Sequence, residues 1–137
     1  MYLEVRQLDK GLFLCEANGH YSIEDMFVAQ KKLASFIDQH GGRQSVIMLD
    51  LRTATMPLEA MLPSTWKAFF EIEHPSTRAY VLIGKYMYLG IYGNLLMRLF
   101  NKRILYARTV EQAEKLAREF IEKHYPDLVS PERIEIE

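Results

Sequence analysis

The sequence predicts an α/β domain built on a mostly parallel sheet, and three observations carry that prediction. Two continuous apolar runs, 45–51 (SVIMLDL) and 79–83 (AYVLI), have the length and composition of strands buried on both faces. Segments of helical period stand between these runs and after them. Two of the helix starts carry reciprocal caps, at Ser22 with Asp25 and at Thr109 with Gln112. Strands joined through helices become parallel neighbours with right-handed crossovers.

Taken in order, the chain opens on a hairpin. Leu3 and Val5, then Leu12 and Leu14, alternate with polar residues, and Asp9, Lys10 and Gly11 supply the turn. Asn18 and Gly19 are expected to end the second strand. The helix capped by Ser22 opens with Glu24 and Asp25, favourable at a helix N-terminus, and sets Ile23, Met26, Phe27, Leu33, Phe36 and Ile37 at helical spacing. Gly41 and Gly42 stop it. The run 45–51 is the third strand, and 52–56 is expected to be loop. Pro57 and Pro63 each suit a first helical turn but cannot share one helix. A short turn after Pro57 and a helix over 63–73, bearing Trp66, Phe69 and Phe70, follow from that. His74, Pro75, Ser76 and Thr77 lead into the strand at 79–83. The apolar segment 86–100 contains Gly90 and Gly93, residues 101–103 break it, and Ile104, Leu105 and Tyr106 form the fifth strand. Behind Thr109, Val110, Ala113, Leu116, Ala117, Phe120 and Ile121 recur at helical spacing. One domain over 1–126 and a polar, acidic, loosely held tail over 127–137 are expected.

Composition narrows the function. At 137 residues the chain has the size of one domain and buries about 65–70% of its unfolded surface. Apolar residues at 49% and charged residues at 26% are ordinary for a globular protein. A formal net charge of −1 provides no basic field to hold nucleic acid or an anionic membrane, so neither is an expected partner. Aromatic residues at 12%, with 7 Met and 8 Tyr, are numerous enough to make a contact surface. The lone Cys15 excludes an internal disulfide and fits a reducing compartment. The opening residues MYLEVR alternate, unlike the apolar core of a signal peptide. No window reaches the ~18 uninterrupted apolar residues of a membrane span, since Asn94 and Arg98 interrupt 86–100. A cytoplasmic location is expected.

The usual signatures of catalysis and metal binding are missing from this sequence. His20, His40, His74 and His124 lie far apart without metal-ligand spacing, and no Gly-x-Ser-x-Gly elbow, Walker loop or GxGxxG is found. Cys15 falls within a strand, where a small buried hydrophobe is the simpler reading. Asp50 ends a strand where α/β ligands bind, but no His or Lys stands within sequence reach of it. Gly90-Ile-Tyr-Gly93 has the glycine spacing of a KH loop and lacks its basic residues. No enzymatic activity, metal or cofactor is expected.

The element order is ββαβαβαβα. Gly19-His-Tyr-Ser22, Val46-Ile-Met-Leu-Asp-Leu51, Val81-Leu-Ile-Gly84, Arg103-Ile-Leu-Tyr106 and Thr109-Val-Glu-Gln-Ala113 follow one another as in a known fold family. On these residues, over 3–125, the chain resembles the SpoIIAA-like fold shared by STAS domains, anti-sigma-factor antagonists and SEC14-type lipid-binding relatives. The opening hairpin sets it apart from a flavodoxin-like sheet. The resemblance implies a mixed, mostly parallel sheet of about five strands and a regulatory or protein-interaction role. In the antagonist branch an Asp and a phosphorylatable Ser begin the helix after the Asp-Leu strand. Those positions fall here on Leu58 and Glu59, so the pair is absent. Glu59 is either a permanent substitute for the phosphate or an ordinary acid complementing a helix dipole. Thr53 and Thr55 are the nearest substitute acceptors, or simply caps.

The segment 87–97 is more apolar than a sheet-covering helix requires, because such a helix needs a stripe only about 100° wide. Met87, Tyr88, Ile91, Tyr92 and Leu95 are therefore the candidate partner- or ligand-binding residues. A protein partner, first of all a second copy in a homodimer, is expected to cover them. The alternative is a small carrier holding an apolar or lipid-like molecule between the sheet and this helix. Burial of the segment on two sides by its own chain is the third reading. Gly90 and Gly93 cost a helix ~1 kcal/mol each relative to Ala, which fits a close backbone approach there or a helix that starts only after Gly93.

Overall fold

The computed structural model describes residues 2–40, 43–85 and 88–126, and the expected glycine stop at 41–42 and the tail at 127–137 lie outside them. Strands β1 (Tyr2–Asp9) and β2 (Leu12–His20) form the antiparallel hairpin, turned at Gly11 with φ of 70°. Helix α1 (Ile23–His40) leads to β3 (Ser45–Thr55). A 3₁₀ turn (Leu58–Met61) and α2 (Pro63–Glu71) lead to β4 (Thr77–Ile83). Helix α3 (Tyr88–Phe100), β5 (Arg103–Ala107) and α4 (Val110–His124) complete the domain. The sheet order is β1-β2-β3-β4-β5, parallel from β2 onward. The fold is α/β and follows the expected element order.

Both caps form, and the one at Ser22 is reciprocal. Asp25 N–H donates to Ser22 Oγ at 3.1 Å and Ser22 N–H to Asp25 Oδ2 at 3.0 Å. Gln112 N–H donates to Thr109 Oγ1 at 3.1 Å, while the Gln112 side chain reaches one residue further back and accepts from Arg108 N–H at 2.9 Å. Each satisfies donors that a helix start leaves open.

The strands advance across the sheet in one direction, and right-handed crossovers then place every intervening helix on the same face. Accordingly α1, α2 and α3 cover one face, where Phe13, Ile47, Tyr80, Ile104, Ile37, Trp66 and Leu96 are buried together. Helix α4 covers the other face through Ala113, Ala117 and Ile121, against Leu14, Met48, Val81 and Ile83. Cys15 lies in the first of these layers at 3% exposure, and burial pushes its thiol pKa up to about 12, so it is a core residue rather than a nucleophile.

Several boundaries differ from the expectation, and β4 and β5 start early, at Thr77 and Arg103, because backbone pairing extends beyond the apolar runs. Residues 52–55 are strand, not loop, because β2 also continues past Asn18 and Gly19 to His20 and pairs with them: Asn18 with Thr53, Gly19 with Ala54, His20 with Thr55. The register shifts after Glu16, and Gly19 takes a φ of 93° that other residues rarely adopt. Helix α2 stops at Glu71, two residues early, with Ile72 as its C-cap. Gly90 and Gly93 lie inside α3 and face β5, not a second backbone. A Cβ on Gly93 would sit 3.0 Å from Ile104 Cγ2, and one on Gly90 would sit 3.4 Å from the Tyr106 ring.

Those two distances give mutations of opposite sign. Gly90→Ala adds an ordinary contact and gains helix propensity, so thermal denaturation should show stabilisation by about 0.5–1 kcal/mol. Gly93→Ala should be destabilising, because overpacking of about 1–3 kcal/mol against Ile104 exceeds the same gain. Equal shifts from the two variants would contradict the tight packing of α3 on β5.

Candidate functional site

Unequal strand lengths leave one end of β3 open on the surface. Pairing of β3 with β4 ends at Asp50 opposite Ile83, while β3 runs on to Thr55 paired only with β2. Beside this free end lies a cleft of about 560 Å³, lined by residues 51–58, Ala60, Met61, Gly84 and Lys85. It stands outside the carboxyl ends of the parallel strands, where ligands of α/β proteins commonly bind. Its floor and wall are fixed. Trp66 Nε1 donates to Ala60 O at 2.6 Å and Thr65 Oγ1 to Glu59 O at 2.7 Å, which anchor the 3₁₀ turn to α2. Across the cleft, Gly84 N–H donates to Ala107 O at 3.1 Å and Tyr106 Oη to Gly84 O at 2.9 Å.

A second cleft of about 320 Å³ adjoins it and shares Arg52, Thr53 and Lys85, with Glu16, Ala17, Asn18 and Asp50 as further walls. Asp50 is buried and grips Arg52 as a fork: Nε donates to Oδ1 at 2.9 Å and Nη2 to Oδ2 at 2.8 Å, and the Arg52 backbone N–H adds a bond of 3.1 Å. Burial alone would raise the Asp50 pKa, but these bonds outweigh it and hold the carboxyl below its ordinary value. Asp50 therefore stabilises the fold above the ordinary carboxyl range, and that contribution is lost as pH falls through the folded pKa. Urea denaturation should show a stability gap between wild type and Asp50→Asn at pH 7 that narrows below about pH 4. A gap that persists there would assign the loss to packing instead of the ion pair.

Sequence reasoning singled out Asp50 but not Arg52, because 52–56 passed for loop. On a strand, residues two apart share a face, and that spacing was the available signal. Thr53 and Thr55 belong to the same strand extension. Thr53 Oγ1 bonds Asn18 Oδ1, and Thr55 Oγ1 lies 2.5 Å from His20 Nδ1. Neither caps a helix. Glu59 is exposed in the 3₁₀ turn, four residues before α2 begins at Pro63, so it does not head a long helix.

The residues proposed on 87–97 divide. Met87 lies outside the described residues, and Tyr88 is the first residue of α3. Ile91 is 69% exposed and Leu95 44%. Tyr92 is half-buried against the core and its hydroxyl has no partner among the described residues. Leu99, at 52% exposure, extends the stripe by another four residues and was missed, although its spacing from Leu95 places it on the same face. The inner side of α3 is occupied: Leu96 is 1% exposed and Gly93 rests on Ile104. An apolar cavity between the sheet and the first two helices, lined among others by Cys15, Met26, Trp66 and Phe69, measures only about 40 Å³.

One cluster imitates a catalytic triad. Asp38 Oδ1 stands 3.4 Å from His74 Nε2, and His74 Nδ1 stands 2.8 Å from Ser76 Oγ. The same Nδ1 accepts the Ser76 backbone N–H at 3.0 Å, which makes the group a turn leading into β4. Ser76 is 6% exposed and its hydroxyl bonds the fully buried Ser45 at 2.7 Å, so no substrate reaches it. No group of His, Cys, Asp and Glu among the described residues is arranged to hold a metal, and no helix among them is long and apolar enough to cross a membrane.

The chain has a SpoIIAA-like fold. An uncharacterized protein of the DUF3478 family from Shewanella loihica PV-4, itself described as SpoIIAA-like, superposes with a TM-score of 0.62 at 13% identity, over 84% of this chain and 91% of that one. The Bacillus cell fate determinant SpoIIAA in its phosphorylated form superposes with a TM-score of 0.49 at 8% identity, over 85% of this chain and 99% of that one. No protein-family model matches the sequence, and no curated protein matches it either.

Proposed function

We propose that this protein is a non-enzymatic regulatory module of the cytoplasm that works by protein contact, without a phosphorylatable serine at the position the antagonists use. The observation that carries the reading is the outer stripe of α3. Ile91, Leu95 and Leu99 recur every four residues and all remain in water, while the opposite side of the same helix is already packed on β5. A helix needs one apolar face to hold it on a sheet, and a second one calls for a partner.

The first partner is another copy of the chain. A stripe running along one helix is self-complementary when two copies meet about a two-fold axis, the commonest closed arrangement. The only charged side chain between Ile91 and Leu99 is Arg98. Light scattering at micromolar concentration should give twice the chain mass for the wild type, and Ile91→Glu with Leu95→Glu should return it to the single-chain mass with unchanged circular dichroism. A wild type that runs as a single chain would remove self-association and leave the stripe to a different protein. In this reading Glu59, exposed in a short 3₁₀ turn, is a surface acid rather than a locked phosphate mimic.

A further inference from the structure

The cleft beside the free end of β3 carries a distinct ligand chemistry, independent of the α3 stripe. Its charged walls among the described residues are two cations, Arg52 and Lys85, while the carboxylates of Asp50 and Glu16 line the adjoining cleft instead. Arg52 is held in place by Asp50 through only two of its side-chain N–H groups, which leaves other donors on a guanidinium whose position is already fixed. Lys85 is exposed and has no ion-pair partner among the described residues. The opposite wall is apolar: Met56, Pro57, Leu58 and Met61 line it, with Leu58 at 88% and Met61 at 53% exposure. A space of about 560 Å³ falls within the range of small-molecule sites.

We propose that this cleft binds a small amphiphilic acid, with a carboxylate or phosphate head between Arg52 and Lys85 and an apolar body against the 3₁₀ turn. Arg52 supplies the planar fork that such heads fit, and its prior fixation by Asp50 lowers the entropy lost on binding. Lys85 adds a charge that no ion pair among the described residues neutralises. The body covers Leu58 and Met61, which the protein alone leaves in water.

Calorimetric titration of the full chain tests the site with four submicellar probes: decanoate, decyl phosphate, decanol and inorganic phosphate. Both decyl acids should bind once per chain, and decanol and inorganic phosphate should each bind at least about tenfold more weakly, a difference of about 1.4 kcal/mol. Lys85→Gln should weaken both acids about tenfold with an unchanged melting temperature, since Lys85 is exposed and has no ion pair among the described residues. The Ile91→Glu, Leu95→Glu variant should bind them as the wild type does, which separates this site from the α3 surface. Equal affinity for decanol and decanoate, or full affinity in Lys85→Gln, would overturn the proposal. So would sedimentation with anionic vesicles in place of binding to the free acids.

Discussion

Trp66→Ala is expected to destabilise the protein by about 3–5 kcal/mol, the usual cost of removing a buried aromatic ring. Trp66 is 9% exposed and lies in the three-helix face of the core, with its ring centroid 5.1 Å from that of Phe69 and 6.1 Å from that of Phe70. Its Nε1 bond to Ala60 O adds a second role, since it ties the 3₁₀ turn, and with it the apolar wall of the cleft, to α2. One control separates the parts. Trp66→Phe keeps most of the apolar volume and loses the hydrogen bond, so a smaller loss of about 1–2 kcal/mol is expected. Urea denaturation followed by circular dichroism measures both without relying on tryptophan fluorescence. A loss below about 1 kcal/mol in Trp66→Ala would mean that the ring does not anchor α2.

Glu73→Ala should cost about 2–4 kcal/mol, although Glu73 lies outside both helix and strand. Its carboxylate closes a polar chain through the core. Tyr80 Oη donates to Glu73 Oε1 at 2.6 Å, Gln30 Nε2 donates to Tyr80 Oη at 3.1 Å and to Phe69 O at 3.2 Å, and Lys102 pairs with Glu73 Oε2. The chain joins α1, α2 and β4 to the residue before β5. Burial first, and then the Glu73 charge, push the Tyr80 pKa well above its ordinary value, so its hydroxyl stays a proton donor throughout the normal pH range. Removing Glu73 strands that donor in the core and leaves Lys102 unpaired above the Phe70 ring, 5.6 Å from its centroid. Tyr80→Phe alone leaves Gln30 bonded to Phe69 O and Glu73 bonded to Lys102, and should cost about 1 kcal/mol. The double variant should lose less than the sum of the two, because the second change removes a group already without its partner. Strict additivity would show that the two side chains act separately.

Local chemistry made most of the fold legible. The runs 45–51 and 79–83 are strands because their residues bury two faces at once, and the caps at Ser22 and Thr109 start helices where their hydroxyls take backbone N–H groups. Residues 52–55 escaped because Arg-Thr-Ala-Thr has no apolar periodicity. Their strand character comes from pairing with 18–20, more than thirty residues away, and no local signal reports that register. The Asp50–Arg52 fork was hidden with them. On α3 the surplus of apolar residues was visible, and the structure leaves Ile91 and Leu95 on the outside. The role of the glycines was not visible, since which side of a helix meets the sheet depends on Ile104 and Tyr106 in the next strand.

Self-association through the outer face of α3 is tested most directly by site-specific cross-linking. Cys15 is 3% exposed with a thiol pKa raised to about 12, so it does not compete with a cysteine placed on the surface. Leu95→Cys and, on the exposed side of α4, Lys115→Cys are treated with a short bismaleimide at micromolar protein concentration. Contact through α3 predicts that Leu95→Cys converts to a covalent pair of chains while Lys115→Cys stays single. A Leu95→Cys chain that remains single, or pairs no faster than Lys115→Cys, would contradict it.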